Sequence, residues 1–338
     1  MAGEAIGYYD FFPVQDEKNQ QDFGRVPTWG TCTVIASKCS FVAKGQRVYG
    51  LIPLSRYLVA SPKQGPNAAS WVDSAPHRQK RDVVYNTYWV LDKDPMYPGP
   101  AYEDAMILVR PLFLTSWLLR EALSGISQME TLIVTSASSK TGASLAALMK
   151  QRRESSTGAL KNKLEIIGMT SSSNVAYCQS LNYFDEIVTY SSSLSHSINN
   201  KRNVVIVDMA GNLDVLRGLQ RTLKSSLLKI ISVGMTHVEG ADMAATFSGE
   251  GFDPNNVKPE FFFAPKYAGA VAKKNPLALT VDVAKDWKEF IVGYPLDIKR
   301  CETVQKVDQV LQDFIHGRVP GNVSWIGCLK SDGERASL

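Results

Sequence analysis

Between Leu132 and Val233 short apolar runs alternate with segments of helical period, and this alternation constrains the fold more than any other feature of the chain. Leu132-Ile133-Val134-Thr135, Leu164 to Gly168, Glu186 to Tyr190, Val204 to Asp208 and Leu228 to Val233 read as strands. Between them, Ser144 to Lys150 places Leu145, Leu148 and Met149 at i, i+3 and i+4, while Ser173 to Leu181 and Val215 to Lys224 carry a similar one-sided pattern. A strand followed by a helix and another strand returns parallel to the first, and the sheet so built must be covered on both faces. Residues 114 to 262 are therefore expected to form an α/β domain with a doubly wound parallel sheet.

The flanks read differently. Residues 1 to 113 show short strands broken by turns: Thr31 to Ala36 and Tyr57 to Ala60 are β-rich, and Gly45-Gln46-Arg47 is a turn before Val48-Tyr49-Gly50. From Pro111 the period changes, and Leu112, Thr115, Ser116, Leu119 and Leu123 form one face of a helix. Residues 263 to 338 add the amphipathic segments Ala284 to Val292 and Val304 to Ile315, the second ended by Gly317. A length of 338 residues suits two domains, and 44% apolar with 21% charged residues excludes a largely disordered chain.

Several function classes drop out. The net charge of +4 is spread without runs of like charge, so nucleic acid is not implied. The most apolar stretch, Ala105 to Leu119, contains Arg110 and Pro111 and is too short to cross ~30 Å of hydrocarbon, so no membrane association is expected. Met1 to Asp16 lacks the basic and apolar regions of a signal peptide, which reads as an intracellular, cytoplasmic protein. Cys32, Cys39, Cys178, Cys301 and Cys328 form no C-x-x-C pair and read as reduced structural thiols, with no zinc site.

In a doubly wound sheet, the turn after the first strand opens a helix whose free N–H groups and dipole suit a pyrophosphate. Here that turn is Ser136-Ala137-Ser138-Ser139-Lys140-Thr141-Gly142: small, hydroxyl-rich and cationic. Serine is also a favoured helix cap, so capping alone accounts for part of it. Ser139-Lys140-Thr141 is reminiscent of a P-loop end, but the upstream glycine that a P-loop needs is absent. The second strand runs into Thr170-Ser171-Ser172-Ser173-Asn174, with no acid to receive a ribose 2′-hydroxyl and repel a 2′-phosphate. NADP(H) is therefore the expected cofactor.

Leu132 to Met149, Ile167 to Ser172, Ser180 to Tyr190, Val204 to Gly211 and Lys229 to Gly234 together resemble the medium-chain dehydrogenase/reductase superfamily, in its zinc-independent quinone oxidoreductase and enoyl reductase branch. Tyr8 to Pro13, Val26 to Gly30, His77-Arg78, Tyr85 to Tyr88 and Arg110 to Phe113 look like a poorly characterised subfamily of it. The resemblance implies a Rossmann nucleotide-binding domain (114–262), a GroES-like β-barrel catalytic domain (1–113, with 263–338 returning to it), and a homodimer through the nucleotide domains. Superfamily members commonly begin several strands before Tyr8, so a shortened, incomplete barrel is expected.

The resemblance also implies residue roles. Tyr190 lies near the adenosine end, Gly234 and Met235 meet the nicotinamide ribose, and Thr115 stands beside the nicotinamide. Hydride transfer needs positioning and a donor that polarises the accepting group, and Tyr8, Tyr9, Tyr85 and Tyr88 are the candidate phenols. His237 is a further proton-donor candidate, His77 beside Arg78 a candidate for an acidic substrate group, and Asp208 reads as structural. The resulting expectation is an NADPH-dependent oxidoreductase that reduces an activated double bond, quinone or carbonyl of a small molecule without zinc. The alternative is a reductase-like protein that binds cofactor or partner without turnover.

Overall fold

The computed structural model describes residues 8–14, 24–155, 164–190, 197–233 and 251–328. These divide into two compact units, one from Met1–Pro111, Thr280–Val319 and Val323–Leu338, the other from Leu112–Leu279 and Pro320–Asn322.

In the first unit, alternating burial and turn chemistry produce β1 (Pro27–Thr33), β2 (Arg47–Pro53), β3 (Pro62–Gln64), β4 (Ser70–Asp73) and β5 (Thr87–Val90). They form an antiparallel sheet in the order β1-β2-β5-β4-β3. β1 and β2 pair from Pro27↔Pro53 to Thr33↔Arg47, and the connection turns at Gly45, whose φ of +86° is open to glycine at little cost. Val48, Trp71, Tyr88 and Val90 pack one core cluster, with the Trp71 and Tyr88 rings stacked 4.3 Å apart.

Tyr57 to Ala60 is not a strand. The alternation that suggested one is present, since Leu58 packs on the core while Tyr57 and Val59 are 62% and 86% exposed. No neighbouring strand bonds this backbone, however, and β3 begins at Pro62 instead.

A long helix, α1 (Glu103–Leu123), corrects a second expectation, because it starts well before Pro111 and carries that proline inside. The buried stripe Met106, Val109, Phe113 and Trp117 holds the helix through the backbone bond that proline cannot make. Thr115 therefore lies mid-helix rather than at a helix opening. Arg110 and Asp94 form a bidentate ion pair with side chains 3% and 0% exposed, and the guanidinium lies 4.6 Å from the Tyr49 ring centroid.

The second unit is built on β6 (Thr131–Thr135), α2 (Lys140–Ser155), β7 (Glu165–Thr170), α3 (Val175–Ser180), β8 (Glu186–Thr189), β9 (Val204–Asp208), α4 (Leu213–Leu223), β10 (Leu227–Ser232) and β11 (Pro259–Phe261). All strand pairs are parallel, in the order β11-β10-β9-β6-β7-β8. This is the doubly wound arrangement, in which successive strands step outward from the centre in one direction and then in the other. Every residue of β6 and β9 is buried, which is why these strands read as continuous apolar runs. On α4, Leu213, Leu216, Leu219 and Leu223 face the sheet, each worth about 1.5–3 kcal/mol on burial. Asn212 caps that helix by accepting from the N–H groups of Asp214 and Val215. After β11, α5 (Ala264–Lys274) has no buried residue.

The chain then supplies α6 (Val283–Gly293), β12 (Asp297–Cys301), α7 (Val304–Ile315) and β13 (Val323–Gly327) to the first unit. β12 and β13 pair in parallel, and the buried Trp287 of α6 donates its indole N–H to the Met96 carbonyl at 2.8 Å. Among the described residues no helix is long and apolar enough to cross a membrane.

Candidate functional site

The strand order reverses between β6 and β9, and in sheets of this kind ligands lie in the crevice beyond the carboxyl ends at such a switch point. Both strands end in a polar residue. The Thr135 hydroxyl donates to Asp208 Oδ1 at 2.5 Å and accepts from the N–H groups of Met209 and Ala210. The Asp208 carboxylate also accepts from Ala210 and Gly211. The Asp208 carboxylate thus sits among donors at the end of β9.

The turn after β6 is held by backbone geometry. Ser136 adopts a φ of 49°, in the left-handed region, and its N–H donates to the Tyr190 hydroxyl at 2.7 Å. Ala137 N–H donates to the Met169 carbonyl of β7, and Ser139 N–H donates back to Ser136 O. Ser139 caps α2, its Oγ accepting from Gly142 N–H at 3.0 Å. A Cβ at Gly142 would come within 2.8 Å of Ser136 O, so only glycine lets the helix approach the turn this closely. Ser116 of α1 reaches the Thr141 carbonyl at 2.8 Å and ties the long helix to the first turn of α2.

With those bonds made, the N–H groups of Lys140 and Thr141 have no acceptor among the described residues. They stand at the positive end of a sixteen-residue helix dipole. Lys140 is half-buried and makes no ion pair among the described residues, and desolvation lowers its pKa from the ordinary lysine value. An unpaired, desolvated cation beside free N–H groups is chemically suited to an anion.

The expected residues divide accordingly. Ser136, Ser139, Lys140, Thr141 and Gly142 converge at the turn. Ser138 is buried: its Oγ accepts from the Thr170 hydroxyl at 3.3 Å, and Gly321 lies against it, so it holds β7 to the turn rather than lining open space. Thr170 is likewise buried. Ser171, Ser172 and Ser173 are exposed, and Asn174 donates to Ser171 Oγ at 2.9 Å. Tyr190 packs on the sheet's core and acts on the turn through Ser136, with burial pushing its phenol up to about 12. Sequence reasoning missed Thr135, although a polar residue ending each central strand is a visible signal, and it missed the approach of Gly321. Gly234, Met235 and His237 lie outside the described residues.

The four tyrosines of the first unit are not equivalent. Tyr88 is fully buried and donates its only hydroxyl hydrogen to the Leu51 carbonyl at 2.7 Å. That corrects the expectation for it: a phenol spent on a backbone carbonyl inside a core has no proton to offer a substrate. Tyr85 is half-buried, its ring 5.4 Å from that of Phe11, and Tyr9 is half-buried with its ring packed on Gly24. Tyr8 opens a short 3-10 turn, Tyr8–Phe11. Arg78, beside the exposed His77, is buried against Phe11 and Phe12 and bonds to Asn86 and the Tyr85 carbonyl. Among the described residues the five cysteines are unbridged, and no group of three His, Cys, Asp or Glu side chains is placed to hold a metal.

A family model described as "Protein of unknown function (DUF2855)" matches residues 1–320. Comparison with curated proteins gave no match. Among solved structures, the yhdH oxidoreductase from Salmonella enterica, crystallised in complex with NADP, is similar over 92% of this chain and 83% of its own, at 14% identity and a TM-score of 0.50. Bacillus subtilis protein yhfP, crystallised with NAD bound, covers 91% of this chain and 83% of its own, at 14% identity and a TM-score of 0.50. Likeness at this level shows the fold alone, a Rossmann-type α/β domain with a GroES-like β-rich module.

Proposed function

The chain belongs to the DUF2855 family, and from that premise and its switch-point geometry we propose that it is an NADPH-dependent oxidoreductase. One observation carries the reading: at the switch point of the parallel sheet, Lys140 is a desolvated cation with no acidic partner among the described residues, next to two N–H groups that find no acceptor among them. The NADP and NAD of the two similar structures support it.

The residues present fit a dinucleotide. The Lys140 and Thr141 N–H groups would hold pyrophosphate oxygens with the Lys140 ammonium, and Gly142 lets α2 start close against the turn that presents them. Thr170 to Asn174 would face the adenosine ribose, where the missing acid favours a 2′-phosphate. When bound, the nicotinamide supplies a hydride. The protein's part is then to position it, exclude water and offer a hydrogen bond to the oxygen that gains negative charge. Tyr8, Tyr9 and Tyr85 are the proposed phenol donors, Thr115, Gly234 and Met235 the proposed contacts of the nicotinamide half, and the proposed substrate is a small quinone, enone or carbonyl compound reduced without zinc.

We further propose a homodimer through the nucleotide-binding unit. The exposed side chains Phe261 and Phe263, at and just beyond the edge strand β11, support it. The test of the function is the loss of NADPH absorbance when the full chain is mixed with a panel of quinones, enones and aldehydes. Turnover of any of them supports it. A protein that binds NADPH tightly and reduces none of the panel is a binding protein of reductase fold.

A further inference from the structure

Gly317 and Gly321 both follow α7, and they are glycine for different reasons. Gly317 adopts a φ of +64°, a conformation that glycine takes at little cost, and ends the helix. Gly321 has no positive φ, so its backbone is open to any residue. Its constraint is space. A Cβ there would lie 3.2 Å from Ser138 Cβ, 3.3 Å from Asn174 Oδ1 and 3.4 Å from Ser138 Oγ, against the ~3.5–4.0 Å at which carbon contacts are optimal.

Pro320–Asn322 clusters with the second unit, although α7 and β13 on either side belong to the first. Gly321 therefore meets two segments of the second unit at once, the turn after β6 and the loop after β7. The two neighbours differ in what they can yield. Ser138 is buried, and its Oγ accepts from the Thr170 hydroxyl. Asn174 is half-buried and presents the end of its side chain. A methyl group at position 321 would thus displace the Asn174 amide before it moved the turn. That amide donates to Ser171 Oγ at 2.9 Å, and Ser171 Oγ lies 3.1 Å from Ser173 Oγ.

We propose that Gly321 is a specificity-determining residue: by leaving room for the Asn174 amide, it fixes the Ser171 and Ser173 hydroxyls in the arrangement that receives a 2′-phosphate. The inference rests on the proposed placing of the adenosine ribose at Thr170 to Asn174. Gly321 acts through Asn174, so it is a positioning residue rather than a contact of the ligand.

The experiment is calorimetric titration of the full chain with adenosine 2′,5′-bisphosphate and with 5′-AMP, which differ only in the 2′-phosphate. Wild type is expected to prefer the bisphosphate by tenfold or more. Gly321→Ala should cut that preference at least threefold while 5′-AMP affinity stays within twofold, because only the 2′ end is disturbed. In an Asn174→Ala background, Gly321→Ala should change neither affinity, since the side chain it displaces is gone. Circular dichroism checks each fold. An unchanged preference in Gly321→Ala, an equal loss for both probes, or a further loss in the Asn174→Ala background would overturn the inference. If Gly321→Ala does not fold, Asn174→Ala alone decides: it should lose the preference at least threefold, and an unchanged preference would overturn the inference. Wild type that binds neither probe would instead remove the dinucleotide reading, and this inference with it.

Discussion

Thr135 and Asp208 end the adjacent central strands β6 and β9, and a 2.5 Å hydrogen bond from the threonine hydroxyl to the aspartate Oδ1 joins them. Thr135 Oγ1 also takes the Met209 and Ala210 N–H groups, so the chain reversals on the two sides of the switch point share one buried polar network. The crevice between them is thereby fixed in width before any ligand arrives.

Thr135→Val keeps the shape and removes that hydroxyl. Asp208 then loses a donor and the Met209 N–H an acceptor, both in a buried setting, at an expected cost of about 2–4 kcal/mol. Thr135→Ser should recover most of it. Urea denaturation measures both; equal stability of the valine variant and wild type would show that the network carries no weight.

Lys140 gives a pH signature. Its folded pKa lies below that of the unfolded chain because burial penalises the charged form, so the unfolded chain binds more protons between the two values. Its contribution makes the ligand-free protein more stable as pH rises through that window, and Lys140→Met should remove this rise. A phosphate beside the ammonium restores the charged form. Nucleotide binding is therefore expected to take up a proton in the same window, which calorimetry in buffers of different ionisation enthalpy detects as a buffer-dependent heat. A heat independent of buffer across the window would count against Lys140 as a phosphate contact.

How much of this was legible in the sequence depends on which force set each feature. β6, β7 and β9 were readable because strands buried on both faces become continuous apolar runs, and the Ser136–Gly142 turn followed from their order. The start of α1 was not. Pro111 reads locally as a breaker, whereas tertiary burial of Met106, Val109, Phe113 and Trp117 sustains the helix through it. Tyr88 could not be told from Tyr85 in sequence either. The two are three residues apart in one aromatic segment, and only the approach of Leu51 shows that one hydroxyl is already used. Thr135 and Asp208 were each visible as polar strand ends, but their pairing is a property of sheet order.

Ser171→Asp tests the ribose preference. Ser171 is exposed at the end of β7, where a carboxylate would accept from a free 2′-hydroxyl and repel a 2′-phosphate. Wild type is expected to favour NADPH and the variant NADH, read by fluorescence titration with each. A wild type that binds NADH more tightly contradicts the reading.

Arg110 and Asp94 test the first unit. Arg110→Met leaves a carboxylate buried without its cation and should cost about 3–5 kcal/mol in chemical denaturation. Replacing both partners, Arg110→Met with Asp94→Leu, should return part of that loss. If the single variant is as stable as wild type, the pair is not buried as described.

The central claim is that the turn from Ser136 to Gly142 holds the phosphates of a dinucleotide. The most direct measurement is titration of NADPH into the wild type and into Lys140→Glu, followed by intrinsic fluorescence, with circular dichroism to confirm that both are folded. Saturable binding to the wild type, weakened in the variant by about tenfold or more, is the result predicted from a like charge beside the phosphates. NADPH binding of equal affinity to both folded proteins, or none to the wild type, would contradict it.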